Sequence, residues 1–232
     1  MPIQLIEPQR LYRQIADQLR ELIRCEEFRP GSRLPPERDL ALQLGVSRPS
    51  VREALIALEV EGCVEVRKGA GIYVCERRAD RSMPSDLLTD MHGPLELIRA
   101  RAVIEGEIAA LAARAVKPRQ LALLDEALDM MRREADAGGV PMKGDRLFHL
   151  RLAEIAGNGA LISVVALLFD QRNNPISAKL GQHLENAESW RAAIEEHRKV
   201  ADAVAERDAA AARAAMQKHM DRSHRRLTKR LD

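Results

Sequence analysis

The sequence predicts a mainly α-helical protein. It should have an N-terminal winged helix-turn-helix with a small β-hairpin wing and a C-terminal all-helical bundle of six to seven helices. Three observations lead there. Leu34 to Leu58, LPPERDLALQLGVSRPSVREALIAL, reads as two short helices joined by the turn Gly45-Val46-Ser47. Val64-Glu65-Val66 and Ile72-Tyr73-Val74 alternate β-branched residues on either side of a Gly-containing tip, the pattern of a hairpin. From Pro94 onward, apolar residues recur at helical spacing with no strand signal.

Taken in order, residues 10–24 carry Leu11, Ile15, Leu19, Leu22 and Ile23 with charges between them, an amphipathic helix with one inward face. Arg29-Pro30-Gly31-Ser32 is a turn by composition. Pro35 and Pro36 precede the next helix, where a proline forfeits no hydrogen bond. Ala41, Gly45 and Val51 supply the small residue, tight turn and buried aliphatic that a helix-turn-helix needs. Ser47 is a candidate N-cap, with Pro49 tolerated in the first turn of the second helix. Ser47, Arg48, Ser50 and Arg52 then face outward, hydroxyls and guanidiniums that suit phosphates and guanine edges. An ordinary helical hairpin with solvated arginines has the same pattern. The hairpin that follows favours DNA, because its basic tip at Arg67, Lys68 and Gly69 suits a minor groove.

Residues 77–92, RRADRSMPSDLLTDMH, are polar and irregular. They divide the chain into a DNA-binding domain over 1–78, a linker over 79–92 and a helical domain over 93–232. In the last, a long helix through Leu97, Ile104, Ile108, Leu111 and Ala115 ends before Pro118. A second carries Leu121, Leu124, Leu128 and Met131 and ends at Ala137-Gly138-Gly139. A third spans about 142–155, and Gly157-Asn158-Gly159 breaks it, with Asn158 read as a C-cap. A fourth runs from Leu161 to Arg172. Residues 176–190 are ambiguous and compatible with a helix continuing towards Trp190. Helices near 190–206 and 209–230 follow, with Asp208 as N-cap between them.

The formal charge of +2 excludes a globally basic protein, so a DNA-binding face must be local. Three cysteines without a Cys-x-x-Cys pair indicate no disulfide framework, and they are expected as small core residues in a reducing compartment. The N-terminal MPIQLIEPQRLYRQ has no signal-like apolar run, and no stretch suffices for a membrane span. A cytoplasmic protein without a membrane partner is expected.

Asp145 and His149 lie one helical turn apart, and His197 and His219 fall on the last two helices. One carboxylate and three imidazoles from three helices suit a divalent metal. On spacing alone, an Asp/His surface pair fits as well.

With these motifs in view, residues 10–74 resemble the DNA-binding domain of the GntR family of bacterial transcription regulators. The matching run is LPPERDLALQLGVSRPSVREALIALEVEGCVEVRKGAGIYV. The second half resembles the FCD ligand-binding domain of that family's FadR subgroup. Its marks stand at Arg101-Ala-Val-Ile-Glu105, Asp145-Arg-Leu-Phe-His149, Ala156-Gly-Asn158, Glu196-His197, Arg207-Asp208 and Met216-Gln-Lys-His219. The resemblance implies DNA contacts from Arg38, Ser47, Arg48, Ser50 and Arg52, and wing contacts from Lys68 and Gly69. Position 49 departs from the pattern, since relatives often have Thr or Ala where this chain has Pro49. The resemblance also implies a divalent metal on Asp145, His149, His197 and His219, with zinc first and nickel or manganese as alternatives. The acyl-coenzyme A-binding members lack this set, so a fatty-acyl ligand is not implied.

A small carboxylate effector would then meet the metal and be clamped by Arg101, with Arg172 helping to line the pocket. Arg172 reads equally as a helix-end charge. The runs PLELIRARAVIEGEIAALAA and LFDQR are similar to the hexuronate-regulator branch, although relatives usually have Trp at Phe169. That implies a sugar acid, with other hydroxy- and dicarboxylates as competitors. The implied whole is a homodimeric, non-enzymatic repressor on a short inverted repeat of double-stranded DNA. The rival readings are a metal-dependent hydrolase using the His/Asp cluster, and a regulator with a purely structural metal.

Overall fold

The computed structural model describes residues 10–76 and 92–228. Among them the elements are α1 (Leu11–Arg24), α2 (Glu37–Leu44), α3 (Arg48–Val60), β1 (Val64–Arg67), β2 (Gly71–Val74), α4 (Pro94–Ala115), α5 (Pro118–Asp136), α6 (Met142–Ile155), α7 (Gly159–Arg172), α8 (Pro175–Leu184), α9 (Ala187–Ala205) and α10 (Ala209–Leu227). They form two compact units. One comprises the described residues up to Gly93 together with Asn174–His183, and the other comprises Pro94–Asn173 with the described residues from Leu184 onward. The expected linker lies outside the described residues apart from His92. The mainly α-helical, winged helix-turn-helix plus helical-domain architecture stands as the sequence predicts.

In the first unit, α1 buries Tyr12, Ile15, Ala16 and Leu19; of the residues expected to face inward, Ile15 and Leu19 do so, whereas Leu11 is exposed and Leu22 and Ile23 are half-buried. Gly45 closes α2 in the left-handed region at φ 66°, and Val51 of α3 is fully buried. Ser47 caps α3 by accepting from the Ser50 backbone N–H at 3.3 Å. Two carboxylates hold this unit from inside. Glu61 is fully buried and accepts from Arg13 Nη1 at 3.0 Å and Arg20 Nε at 2.9 Å. Glu37 accepts from Arg52 Nε at 2.8 Å and Nη2 at 2.5 Å, pinning α2 to α3.

The antiparallel register pairs Val64 with Val74 and Val66 with Ile72. Val64, Ile72 and Val74 are buried, whereas Glu65 is exposed. The free edge of β2 is covered by preceding chain: Leu34 N–H donates to Ile72 O at 2.8 Å, and Val74 N–H to Ser32 O at 2.9 Å. The cysteines depart from expectation. Cys25 is exposed, and Cys63 and Cys75 are half-buried. Cys25 caps the end of α1, and the other two flank the hairpin, places that the residue type alone does not reveal.

In the second unit, one continuous core takes Ile108 and Ala112 from α4, Leu124, Leu128 and Met131 from α5, and Phe148 and Leu152 from α6. Val165 and Phe169 of α7, Val200 and Val204 of α9, and Met216 and Met220 of α10 complete it. Small side chains let helices approach closely. A methyl group added at Gly144 would stand 2.5 Å from the Met131 backbone nitrogen and 2.6 Å from its Cγ. Because backbone is in the way, Gly144→Ala must push α5 and α6 apart. We expect a loss of about 1–3 kcal/mol in denaturant unfolding, and an unchanged midpoint would refute this packing.

Two local readings change. Asn158 is the N-cap of α7, not a C-cap: its side chain accepts from the Ala160 N–H at 3.0 Å and the Leu161 N–H at 3.4 Å. The ambiguous stretch 176–190 holds a helix end and a new start. Asn186 accepts from the Ser189 N–H at 2.9 Å while Ser189 Oγ accepts from the Asn186 N–H at 2.9 Å, a reciprocal cap that opens α9. Asp208 caps α10 as expected, accepting from the Ala210 and Ala211 N–H groups. No helix of the described residues is long and apolar enough to cross a membrane.

Candidate metal and effector centre, and the nucleic-acid face

The DNA-facing candidates lie on three parts of the first unit. Arg38, in the first turn of α2, is exposed and donates to its neighbour Asp39 at 3.1 Å. Ser47 is exposed at the start of α3, with Arg48 and Ser50 half-buried in its first turn. Lys68 and Gly69 are exposed at the wing tip, where Gly69 takes φ 72°. Arg67 is partly committed, since its guanidinium donates to Glu65 and stacks over Tyr73 at 4.5 Å. Pro49 sits in the first turn, where a helix has no use for its missing N–H.

Arg52 is the correction. It is 1% exposed, and its Nε and Nη2 both donate to Glu37. The outward role expected of it does not fit this geometry; the residue locks the helix pair from within. Helical periodicity cannot separate these roles, because a long arginine on the inner edge of a face reaches back to a partner.

The metal-ligand candidates converge as expected. Asp145 and His149 of α6, His197 of α9 and His219 of α10 are all buried, with one ligand atom of each within 4.8 Å of the others. Nε2 of His149 and Nε2 of His197 lie 3.1 Å apart, and Asp145 Oδ1 is 3.1 Å from the latter and 3.7 Å from the former. Ligands of one ion, each bonded at about 2.0–2.2 Å, stand at such separations.

The outer ring nitrogens are already engaged. His197 Nδ1 faces the Ala193 carbonyl at 2.7 Å, His219 Nδ1 faces Glu196 Oε2 at 2.9 Å, and His149 Nδ1 faces the Glu105 carboxylate. A carbonyl or carboxylate on the outer nitrogen fixes the tautomer that leaves the inner nitrogen as a ligand. The residues therefore fit a divalent ion.

Protonation follows the same design. Burial, reinforced by neighbouring His197, holds the His219 imidazole down to about 3. Burial also lowers His197. His149 moves the other way, since its burial is outweighed by the Glu105 carboxylate beside it. Asp145 stays well below the usual carboxylate range: burial opposes this, but the hydrogen bonds from His149 and His197, with the charge of Arg172, prevail.

Between about 3 and the ordinary imidazole value of about 6.5, the unfolded chain binds a proton at His219 that the folded chain refuses. Stability therefore rises with pH across that window. His197 adds in the same direction. His149 contributes stability that is constant below about 6.5 and is lost only as pH rises above that through its folded value, so the window below 6.5 belongs to His219 and His197. Metal-free protein should lose stability as pH falls from 7 to 5, by at most about 1.4 kcal/mol per unit for one group. A flat melting temperature over that range would contradict it.

Arg101 and Arg172 reach the same place by different ties. Arg101 is buried, its Nε donates to Glu105 at 2.5 Å, its guanidinium lies 4.0 Å from the Phe169 ring centre, and its Nη2 is buried without a partner. Arg172 Nη1 donates to Asp145 at 2.6 Å. Both line a cavity of about 440 Å³, part of it open to solvent, together with Asp145, His219, Trp190 and Glu185. A buried donor without an acceptor stands beside the candidate metal ligands, where buried polar groups ordinarily have partners.

Sequence reasoning missed the supporting groups. Glu105 stands four residues from Arg101 and Glu196 beside His197, but that spacing alone does not tell an orienting carboxylate from a surface charge. Glu185 and Arg226 carry no local signal, because only the tertiary fold brings them to the cavity.

A winged helix-turn-helix joined to a helical domain that holds a buried carboxylate–imidazole cluster defines the class of DNA-binding transcription regulators. Residues 11–74 match the family described as bacterial regulatory proteins, gntR family, and residues 96–222 match the FCD domain. The chain belongs to the GntR family of transcription regulators, in its FCD-bearing subgroup. It is 37% identical over 224 residues to the Uxu operon transcriptional regulator of Escherichia coli K12, covering 94% of this chain and 87% of that one. It is 35% identical to the Exu regulon transcriptional regulator of the same strain, covering 94% and 85%. It is 32% identical over 222 residues to the HTH-type transcriptional repressor NanR of Salmonella arizonae, covering 91% and 82%. These relatives are regulators, which removes the hydrolase reading.

Proposed function

We propose that this protein is a homodimeric repressor whose helical domain binds a small carboxylate, of the sugar-acid class, at a divalent metal. Asp145, His149, His197 and His219 would hold the ion, zinc foremost. When bound, the ion supplies positive charge and open positions for a carboxylate oxygen. Arg101 would clamp the carboxylate through its free Nη2, and Arg172 would hold Asp145 in place while lining the cavity. The repeated winged unit would read an inverted repeat through Arg38, Ser47, Arg48, Ser50, Lys68 and Gly69. The effector would release the operator by binding better to the arrangement that fits DNA poorly.

The observation that carries this reading is the unpartnered Arg101 Nη2, buried on the same cavity wall as the metal-ligand candidates. The names of the Uxu and Exu relatives support the sugar-acid class by kinship. The deciding experiment is a thermal-shift panel of carboxylic acids on zinc-loaded protein, repeated with chelator. Zinc should raise the melting temperature, and a sugar acid should raise it further only while zinc is present. If zinc stabilises but no acid adds to it, the metal is structural and the effector reading is lost.

A further inference from the structure

We propose that Glu185 sets effector specificity by accepting hydrogen bonds from the hydroxyl groups of the bound acid, so that the cavity selects a polyhydroxylated monocarboxylate over both a bare acid and a diacid. The inference rests on the reading of this cavity as a carboxylate site.

The argument comes from charge pairing around the cavity. Each of its three guanidiniums has a carboxylate of its own. Arg101 donates to Glu105, Arg172 to Asp145, and Arg226 to both oxygens of Glu196 at 3.0 and 3.1 Å. Glu185 is the lining carboxylate left over. Arg172 approaches it only through Nη2, at 3.8 Å, beyond hydrogen-bond reach. Burial raises its pKa; Arg172, Arg226 and the Trp190 side chain beside it offset this only in part, which leaves the carboxylate with acceptor capacity to spare.

The nearby hydroxyls do not fill the gap. Ser189 Oγ donates to the Asn186 carbonyl at 2.8 Å, and the hydrogen bond of Ser223 Oγ is to Arg226 Nη2 at 2.8 Å, not to Glu185. An ionised carboxylate only accepts, so its complement on a ligand is a donor.

Which donor follows from the surroundings. A second carboxylate on the ligand would face Glu185 as a like charge. An ammonium group would face Arg172 and Arg226 on the same lining. A neutral hydroxyl meets neither repulsion, and the half-buried site makes its bond to a charged acceptor strong. Trp190, on the same wall, adds a flat apolar face against which a sugar ring can lie. Arg101 and the metal candidates on the same lining take the single carboxylate. Discrimination then arises as much from what Glu185 repels as from what it binds.

The test is calorimetric titration of the zinc-loaded full chain, and of its Glu185→Ala and Glu185→Gln variants, with glucuronate, hexanoate and glucarate. The unaltered protein should bind glucuronate more tightly than either of the others. Glu185→Ala should weaken glucuronate by about tenfold to a hundredfold and change hexanoate by less than about twofold. Glu185→Gln, which is nearly isosteric, should bind glucarate more tightly than the unaltered protein does. It keeps the test decisive should the alanine variant fold poorly. Equal losses for glucuronate and hexanoate, or no gain of glucarate in the Gln variant, would overturn the role of Glu185 and leave the carboxylate site standing. If none of the three acids binds the unaltered protein, the carboxylate reading falls, and this inference with it.

Discussion

Changing His197 to alanine is expected to abolish the stabilisation that zinc gives this protein. The imidazole stands at the middle of the cluster: its Nε2 is 3.1 Å from both Asp145 Oδ1 and His149 Nε2, and its ring is 4.2 Å from that of His219, centre to centre. An ion held by all four groups, present at a thousand times its dissociation constant, stabilises the fold by about 4.1 kcal/mol. For a chain of this size that corresponds to a melting shift on the order of 10 °C. With His197 gone, the ion keeps three ligands and loses the one whose outer nitrogen is anchored to the backbone carbonyl of Ala193. The zinc-dependent shift should shrink to nothing at the same metal concentration. Chelated unaltered protein should melt near the variant, since the metal-free cluster already refuses protons at His197 and His219. Scanning fluorimetry with and without zinc reads both. A variant that keeps the full zinc shift would show that the ion, if bound, sits elsewhere.

How much of this was legible beforehand depends on the range of the interactions concerned. Elements set by local pattern were legible. The face of α1 through Ile15 and Leu19, the left-handed turn at Gly45, the capping by Ser47 and Asp208 and the alternation of the hairpin each rest on residues within a few positions of one another. The four metal-ligand candidates were partly legible. Asp145 and His149 share a turn, but the convergence of His197 and His219 on them came from the family resemblance. Periodicity alone left a surface pair equally acceptable.

What was not legible is long-range. Asn158 lies between two helices and could cap either. The geometry gave it to α7, because its side chain reaches the N–H groups of Ala160 and Leu161. Glu105 and Glu196, which orient two of the imidazoles, look in sequence like ordinary surface charges on helices. Glu185 stands forty residues beyond Asp145 and shares Arg172 with it. Arg52 failed for the same reason. An arginine one turn into a recognition helix looks outward until the position of Glu37 is known.

Arg52 and Arg48 therefore make the sharpest contrast in the DNA-binding unit. Both Arg52→Ala and Arg48→Ala should lose operator binding, for different physical causes. Arg52→Ala takes the Nε and Nη2 donors away from the Glu37 carboxylate, whose side chain is 9% exposed. Removing one partner of a buried ion pair costs about 3–5 kcal/mol, enough to loosen the α2–α3 hairpin on which every other contact depends. Arg48→Ala removes a half-exposed side chain from the first turn of α3, with a stability change within about 0.5 kcal/mol. Its operator affinity should still fall by about 1–3 kcal/mol if it reads a base edge.

Unfolding curves and operator titrations on the same preparations separate the two. The decisive variant is the double change Glu37→Leu with Arg52→Met, which swaps the buried pair for apolar side chains and should recover most of the lost stability. If that protein also recovers operator binding, Arg52 serves only to hold the helices together. If it folds as firmly as the unaltered chain and remains unable to bind, the guanidinium of Arg52 must leave Glu37 for the DNA.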